Sequence, residues 1–164
     1  MFLSLDLSTK SSGWAVFEDT KLVEYGCITS ASTDLIKRIH IMIDGIKEVL
    51  NKYEIKNIYV EEVRPDLGSG NLATHRALMY LQAALEFLVH DEYNGTKIEY
   101  IYPSSWRAAC GIKNGRGVKR LTLKELDKQF VKDNYGLDVN DDIADAICVG
   151  HAQVKKQETE INWE

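Results

Sequence analysis

Asp6 interrupts the apolar run Leu3-Ser4-Leu5-Asp6-Leu7, and Glu61 with Glu62 interrupts Ile58-Tyr59-Val60-Glu61-Glu62-Val63. An unpaired carboxylate buried in such a strand is costly, so each needs a partner. Asp142 and Asp145, within Asp141-Asp142-Ile143-Ala144-Asp145-Ala146, stand three residues apart at the start of a predicted helix and share one of its faces. Acids gathered around a cation are tolerated, and hard oxygen ligands select Mg²⁺, Mn²⁺ or Ca²⁺. Side chains alternate along a strand, so only one of Glu61 and Glu62 can share a site with Asp6. The residues alone leave that choice open. A helix N-terminus also favours Asp141, Asp142 and Asp145 with no ligand present. The chemistry therefore depends on whether the acids converge.

The formal charge of −5 argues against a protein that simply coats nucleic acid. Its distribution is uneven. From Pro103 to Lys132, eight basic residues (Arg107, Lys113, Arg116, Lys119, Arg120, Lys124, Lys128, Lys132) meet only Glu125 and Asp127. A basic segment on an acidic body suits a polyanionic ligand held beside a metal-loaded acidic site. A solvated helix with a lysine-rich face would show the same pattern.

The elements that must position these groups follow from periodicity. Phe2–Leu7, Ser12–Glu18 and Lys21–Cys27 are predicted strands, with a hairpin turn at Glu18-Asp19-Thr20-Lys21. Ile36, Ile39, Ile43, Ile46, Val49 and Leu50 predict a helix from Thr33 or Asp34 to Tyr53. A strand at Asn57–Val63 breaks into the loop from Arg64 to Gly70. A helix at Asn71–His90 and a strand at Lys97–Tyr102 follow. Ser104 is expected to cap a short helix ending near Gly111, and another helix is expected from Val118 to Asn134 before Gly136. Asn140 or Asp141 caps the last helix, predicted to reach Gln157. This order predicts one α/β domain with a mixed sheet over 1–157 and an acidic tail over 158–164. No apolar stretch approaches the roughly 20 residues of a membrane span. No basic leader precedes Asp6, so a cytoplasmic protein without a secretory signal is expected. Cys27, Cys110 and Cys148 are widely spaced and read as free thiols of a reducing compartment.

The ordered set Leu3-Ser4-Leu5-Asp6-Leu7-Ser8, Ser12-Gly13-Trp14-Ala15-Val16, Val60-Glu61-Glu62-Val63 and Asp142-Ile143-Ala144-Asp145-Ala146 resembles the RuvC family of Holliday junction resolvases, most of all its divergent phage-borne members. The resemblance implies a ribonuclease H-like fold, a mixed five-stranded sheet flanked by helices. It implies metal-binding, catalytic carboxylates at Asp6, Glu61, Asp142 and Asp145, selecting Glu61 over Glu62. It also implies Mg²⁺, with Mn²⁺ as substitute, two ions per site, and a homodimer whose subunits each nick one strand of a four-way DNA junction. The product would carry a 5′-phosphate. Arg107 and Lys119 take the family's basic positions near the scissile phosphate, Lys119 as a catalytic residue. Lys113, Arg116, Arg120 and Arg64 complete the expected DNA-contacting set.

Two departures stand out. Leu7-Ser8 replaces the Pro-Gly of typical bacterial members, and Arg64-Pro65 stands where those members carry a junction-wedging aromatic residue. The expected substrates therefore widen to forks, three-way junctions and flaps. An RNA–DNA hybrid nuclease would share the metal site, and a non-catalytic branched-DNA-binding relative would share the fold. An actin-like or sugar-kinase-type ATP-binding protein needs two such lobes, and 164 residues supply one. His40, His75 and His90 lack metal-like spacing, and His151 falls off the Asp142/Asp145 face. Trp14 reads as core, whereas Trp106 and Trp163 are candidates for stacking on bases.

Overall fold

The computed structural model describes residues 1–62, 72–113 and 117–161. Strands β1 (Phe2–Asp6), β2 (Ser11–Glu18) and β3 (Lys21–Thr29) form an antiparallel meander, and β4 (Asn57–Glu61) and β5 (Lys97–Ile101) extend the sheet beyond β1. The sheet order is β3-β2-β1-β4-β5, with β4 parallel to β1 and β5 parallel to β4. The β2–β3 hairpin closes through Asp19 and Thr20, with Asp19 in the left-handed region at φ 52°. Strand β1 is central, which explains why Phe2, Leu3, Ser4 and Leu5 are all buried.

Parity along β1 divides the core. Leu3 and Leu5, with Val60 of β4, pack against helices α1 (Leu35–Lys52) and α2 (Leu72–Glu92). Phe2, with Ala15 and Phe17 of β2, faces helix α5 (Asp141–Ile161), flanked by α3 (Pro103–Ala109) and α4 (Arg120–Tyr135). Ser4 shares the α5 side and donates through Oγ to the Ala146 carbonyl at 2.7 Å. From Ala144 to Gly150 every residue of α5 is buried, so this helix is the spine of the second layer. Its close approach to the sheet depends on two missing side chains. A Cβ on Gly13 would lie 1.8 Å from the Asp142 carbonyl oxygen, and one on Gly150 would lie 2.2 Å from the Phe17 ring.

Several predicted boundaries move. Helix α1 starts at Leu35 behind Asp34, whose Oδ1 accepts from Lys37 N at 2.8 Å. Its buried face is Ile39, Met42, Ile46, Val49 and Leu50, whereas Ile36 is exposed. Helix α3 is capped by Tyr102 with Pro103 at its start, so Ser104 lies inside it. A proline fits the first helical turn because its missing N–H has no helical partner there. Asn140 caps α5 by accepting from Ile143 N at 2.9 Å. That helix passes Gln157 and runs to Ile161, with Lys155 and Glu158 paired one turn apart. No glycine or proline in that stretch would stop it. Gly136 ends α4 in the left-handed conformation, as predicted. Among the described residues, no helix is long and apolar enough to cross a membrane.

Candidate active site

Asp6 and Glu61 end neighbouring parallel strands, one position beyond the paired Leu5 and Val60. Asp6 continues the Phe2–Ser4 parity, and Glu61 alternates with Val60, so both carboxylates face the α5 layer. Glu62 takes the opposite parity, and its N–H bonds the Ile101 carbonyl at 2.8 Å. Strand geometry thus separates the two glutamates that the residue types could not. The approach at Gly13 sets the first turn of α5 over the same strand ends, bringing in Asp142 and Asp145.

The carboxylates act on one another. Burial holds Asp6 well above the ordinary carboxylate value, Glu61 and Asp142 push it the same way, and Lys124 and Arg120 oppose them. Glu61 rises to about 7 through burial and then the charge of Asp145, opposed by Arg107 and by a hydrogen bond from Trp106. Asp145 rises to about 8 through burial, then Asp6 and Asp127, against Lys124 and Arg107. Asp145 is only 5% exposed, and its Oδ1 is buried without a hydrogen-bond partner. Among the described residues, no three His, Cys, Asp or Glu side chains are closed into a ready-made ion cage. The all-oxygen donor set and the orphaned Asp145 oxygen nevertheless fit a hard divalent cation.

Positive charge surrounds the cluster in two layers. Lys124 of α4 stands 3.7 Å from Asp145 Oδ2 and 3.5 Å from Asp141 Oδ2, and Lys128 lies 3.4 Å from Asp141 Oδ1. Burial alone would lower the Lys124 ammonium, yet Asp145 and Asp141 hold it above its ordinary value. Asp141, which lies outside the ligand set that the family resemblance implies, is thus the partner of two lysines. Arg107 is committed differently from expectation. It donates from Nε and Nη2 to the buried carboxylate of Asp127 at 3.1 Å and 2.7 Å, and its guanidinium stacks 4.2 Å from the Trp106 ring. Trp106 is fully buried, so it is no stacking platform for bases; its Nε1–H donates to Glu61 Oε2 at 2.9 Å.

The other predicted DNA contacts are spread along the α4 entrance. Lys119 occupies the cap position of α4, and Lys113, Lys119 and Arg120 are exposed. Lys113 and Lys119 line a shallow pocket with Val118, Thr122 and Leu126. Arg64 and Arg116, together with Pro65 and Trp163, lie outside the described residues. His151 packs against Phe130 and Tyr135, with its Nδ1 2.7 Å from the Tyr135 hydroxyl, a structural role. Trp14 packs on the α1/α2 side of the sheet. The three cysteines are free. Lys124, Asp127 and Ser11, which donates to Asp142 Oδ2, were given no site role from the sequence, and Trp106 was given a different one. Only the excess of basic residues between Pro103 and Lys132 hinted at the first.

A mixed five-stranded sheet of this order, flanked by helices, is a ribonuclease H-like fold. Solved structures similar to it include Thermus thermophilus RuvC in complex with Holliday junction substrate. That match has a TM-score of 0.74 at 14% identity and covers 97% of this chain and 96% of that one. The fowlpox virus resolvase with its substrate Holliday junction DNA matches with a TM-score of 0.56 at 14% identity, covering 95% and 99%. In sequence, the chain is 26% identical over 160 residues to crossover junction endodeoxyribonuclease RuvC of Pseudomonas syringae pv. syringae, covering 93% of this chain and 87% of that protein. The family model described as Lactococcus phage M3 protein matches residues 1–152, and the chain belongs to that family.

Proposed function

We propose that this protein is a divalent-metal-dependent, structure-selective DNA endonuclease that nicks four-way junctions. The observation that carries this reading is the meeting of Asp6, Glu61, Asp142 and Asp145 at one end of the sheet, beside the basic start of α4. Similarity to RuvC proteins over nearly the whole chain supports it. The four carboxylates would hold Mg²⁺, or Mn²⁺ in its place, with two ions per site. Bound there, the ions would activate a water for attack and offset charge on the phosphodiester, and the product would carry a 5′-phosphate. Lys124 offsets the negative charge of Asp145 and Asp141 until substrate arrives. Lys119, Lys113 and Arg120 contact DNA phosphates, with Arg64 and Arg116 added from the sequence, and Lys119 serves the scissile phosphate as a catalytic residue. Arg107, neutralised by Asp127, orients Trp106 and adds its field to Glu61 and Asp145. The working unit is a homodimer. The exposed apolar stripe Leu72, Met79, Tyr80 and Phe87 on α2 supports a self-association face. The nuclease acts in the cytoplasm of the cell that expresses it.

The test compares four-way, three-way, flap and linear duplex DNA, and an RNA–DNA hybrid, with Mg²⁺ present. Paired nicks in the four-way junction and little cutting of linear duplex are expected. Cleavage confined to the hybrid would replace the reading with a hybrid nuclease, and tight junction binding without cleavage would make the protein a non-catalytic relative. A second expectation concerns Trp106→Phe, which keeps an aromatic ring and removes the indole N–H. Loss of a partner that orients a metal-binding carboxylate typically costs about 10–100-fold. Nicking should therefore fall by about tenfold with junction affinity unchanged; wild-type kcat in this variant would show that the bond to Glu61 orients nothing.

A further inference from the structure

Asp142 is held from the β2 side by a contact that the carboxylate cluster does not require. Ser11 Oγ donates to Asp142 Oδ2, and the same hydroxyl lies 3.2 Å from Cys27 Sγ of β3. Strand parity accounts for the meeting. Asp6 pairs with Gly13 and Gly13 with Cys27, so Ser11, Gly13 and Cys27 all face α5. Ser11 and Cys27 are diagonal neighbours on that face, within reach of each other across the ladder. Gly13, between them, adds no side chain, and this space admits the first turn of α5. The turn behind Ser11 is itself fastened: Ser12 Oγ donates to the Ser8 carbonyl at 2.7 Å and accepts from Ser8 N at 3.0 Å.

We infer that Ser11 is a positioning residue for Asp142, with Cys27 orienting its hydroxyl. Proton counting fixes the direction of the chain. The Ser11 hydroxyl carries a single proton, and that proton goes to Asp142 Oδ2. The Ser11 oxygen is then left as an acceptor, and the Cys27 thiol is its donor. Holding Oδ2 on β2 leaves Oδ1 as the oxygen Asp142 can offer to a cation. The hydroxyl thereby restricts the carboxylate to one rotamer before a cation arrives. This inference rests on the metal-binding reading of Asp142.

The experiment titrates Mn²⁺ into wild type, Ser11→Ala, Ser11→Thr and Cys27→Ala, following bound ion by electron paramagnetic resonance, and then measures junction nicking. Ser11→Ala should bind Mn²⁺ about tenfold more weakly and lose kcat by a similar factor, with KM for DNA unchanged. Ser11→Thr, which keeps the hydroxyl on a strand that suits a β-branched residue, should restore both. Cys27→Ala should fall between them. Wild-type Mn²⁺ affinity in Ser11→Ala, or an equal defect in Ser11→Thr, would overturn the assignment. Mn²⁺ binding is measured without DNA. Failure of wild type to nick junctions would therefore remove the substrate reading and leave this result standing. An Asp142→Asn protein that binds Mn²⁺ normally would remove the metal reading on which it depends.

Discussion

Asp6→Asn should abolish nicking while making the metal-free protein harder to melt. The substitution keeps the shape of the side chain and removes its charge at the half-buried end of β1. Outer-shell partners of a metal typically contribute about 10–100-fold, so loss of a direct ligand should lower the nicking rate by more than about 100-fold. The second effect follows from the same geometry. Asp6 is the first neighbouring charge that raises Asp145, and burial keeps both groups away from the water that would screen them. Removing one member of a buried like-charged set relieves repulsion without opening a cavity. Melting followed by fluorescence in the presence of a chelator should therefore show a higher Tm for Asp6→Asn than for wild type. Nicking within tenfold of wild type would take Asp6 out of the site. A lower Tm would show that its carboxylate supports the fold rather than straining it.

The strand acids were legible because a carboxylate in an apolar run is anomalous by itself, and Asp142 and Asp145 because their spacing places them on one helical face. Local rules also reached the Gly136 terminus and the Asn140 cap, since both depend on neighbours within four residues. What stayed hidden depends on packing between distant segments. Lys124 looks like any lysine of a polar helix until α4 lies on α5 and its ammonium meets Asp145. Arg107 looks like a free phosphate ligand until Asp127, twenty residues away, takes its fork. Trp106 looked available for bases because nothing local shows that α3 sinks its indole beside Glu61. Ser11 lay in a hydroxyl-rich turn whose members were indistinguishable until Gly13 admitted α5. Ile36 illustrates the limit of periodicity: it fits the helical spacing, but in the first turn of α1 Leu35 packs on the core and Ile36 is exposed.

Raising the pH from about 5 to 8 should weaken the metal-free protein and strengthen its hold on a divalent cation. Glu61 titrates at about 7 and Asp145 at about 8, and Asp6 is also held above its ordinary value, mainly by burial. In the unfolded chain these carboxyls return to about 4. Between those limits the native protein binds more protons than the unfolded chain, so unfolding free energy declines as pH rises. Their contribution is complete below about pH 4 and is lost as pH passes the folded values near 7 to 8. A cation must displace the same protons, so its apparent affinity should rise about tenfold per pH unit for each proton released, levelling above pH 8. Cation binding at 100 times its dissociation constant adds about 2.7 kcal/mol, or roughly 5–10 °C in Tm for a chain of this size. Melting curves at pH 5, 6.5 and 8, with a chelator and with Mn²⁺, measure both slopes at once. The expected pattern is a metal-free Tm that falls with pH and a Mn²⁺-induced increase that grows with it. A metal-free Tm that rises across this range would mean that the acids are ionised and paired within the fold. Lys124 and Arg107 would then be the permanent counterions of the cluster, leaving no charge for a cation to neutralise.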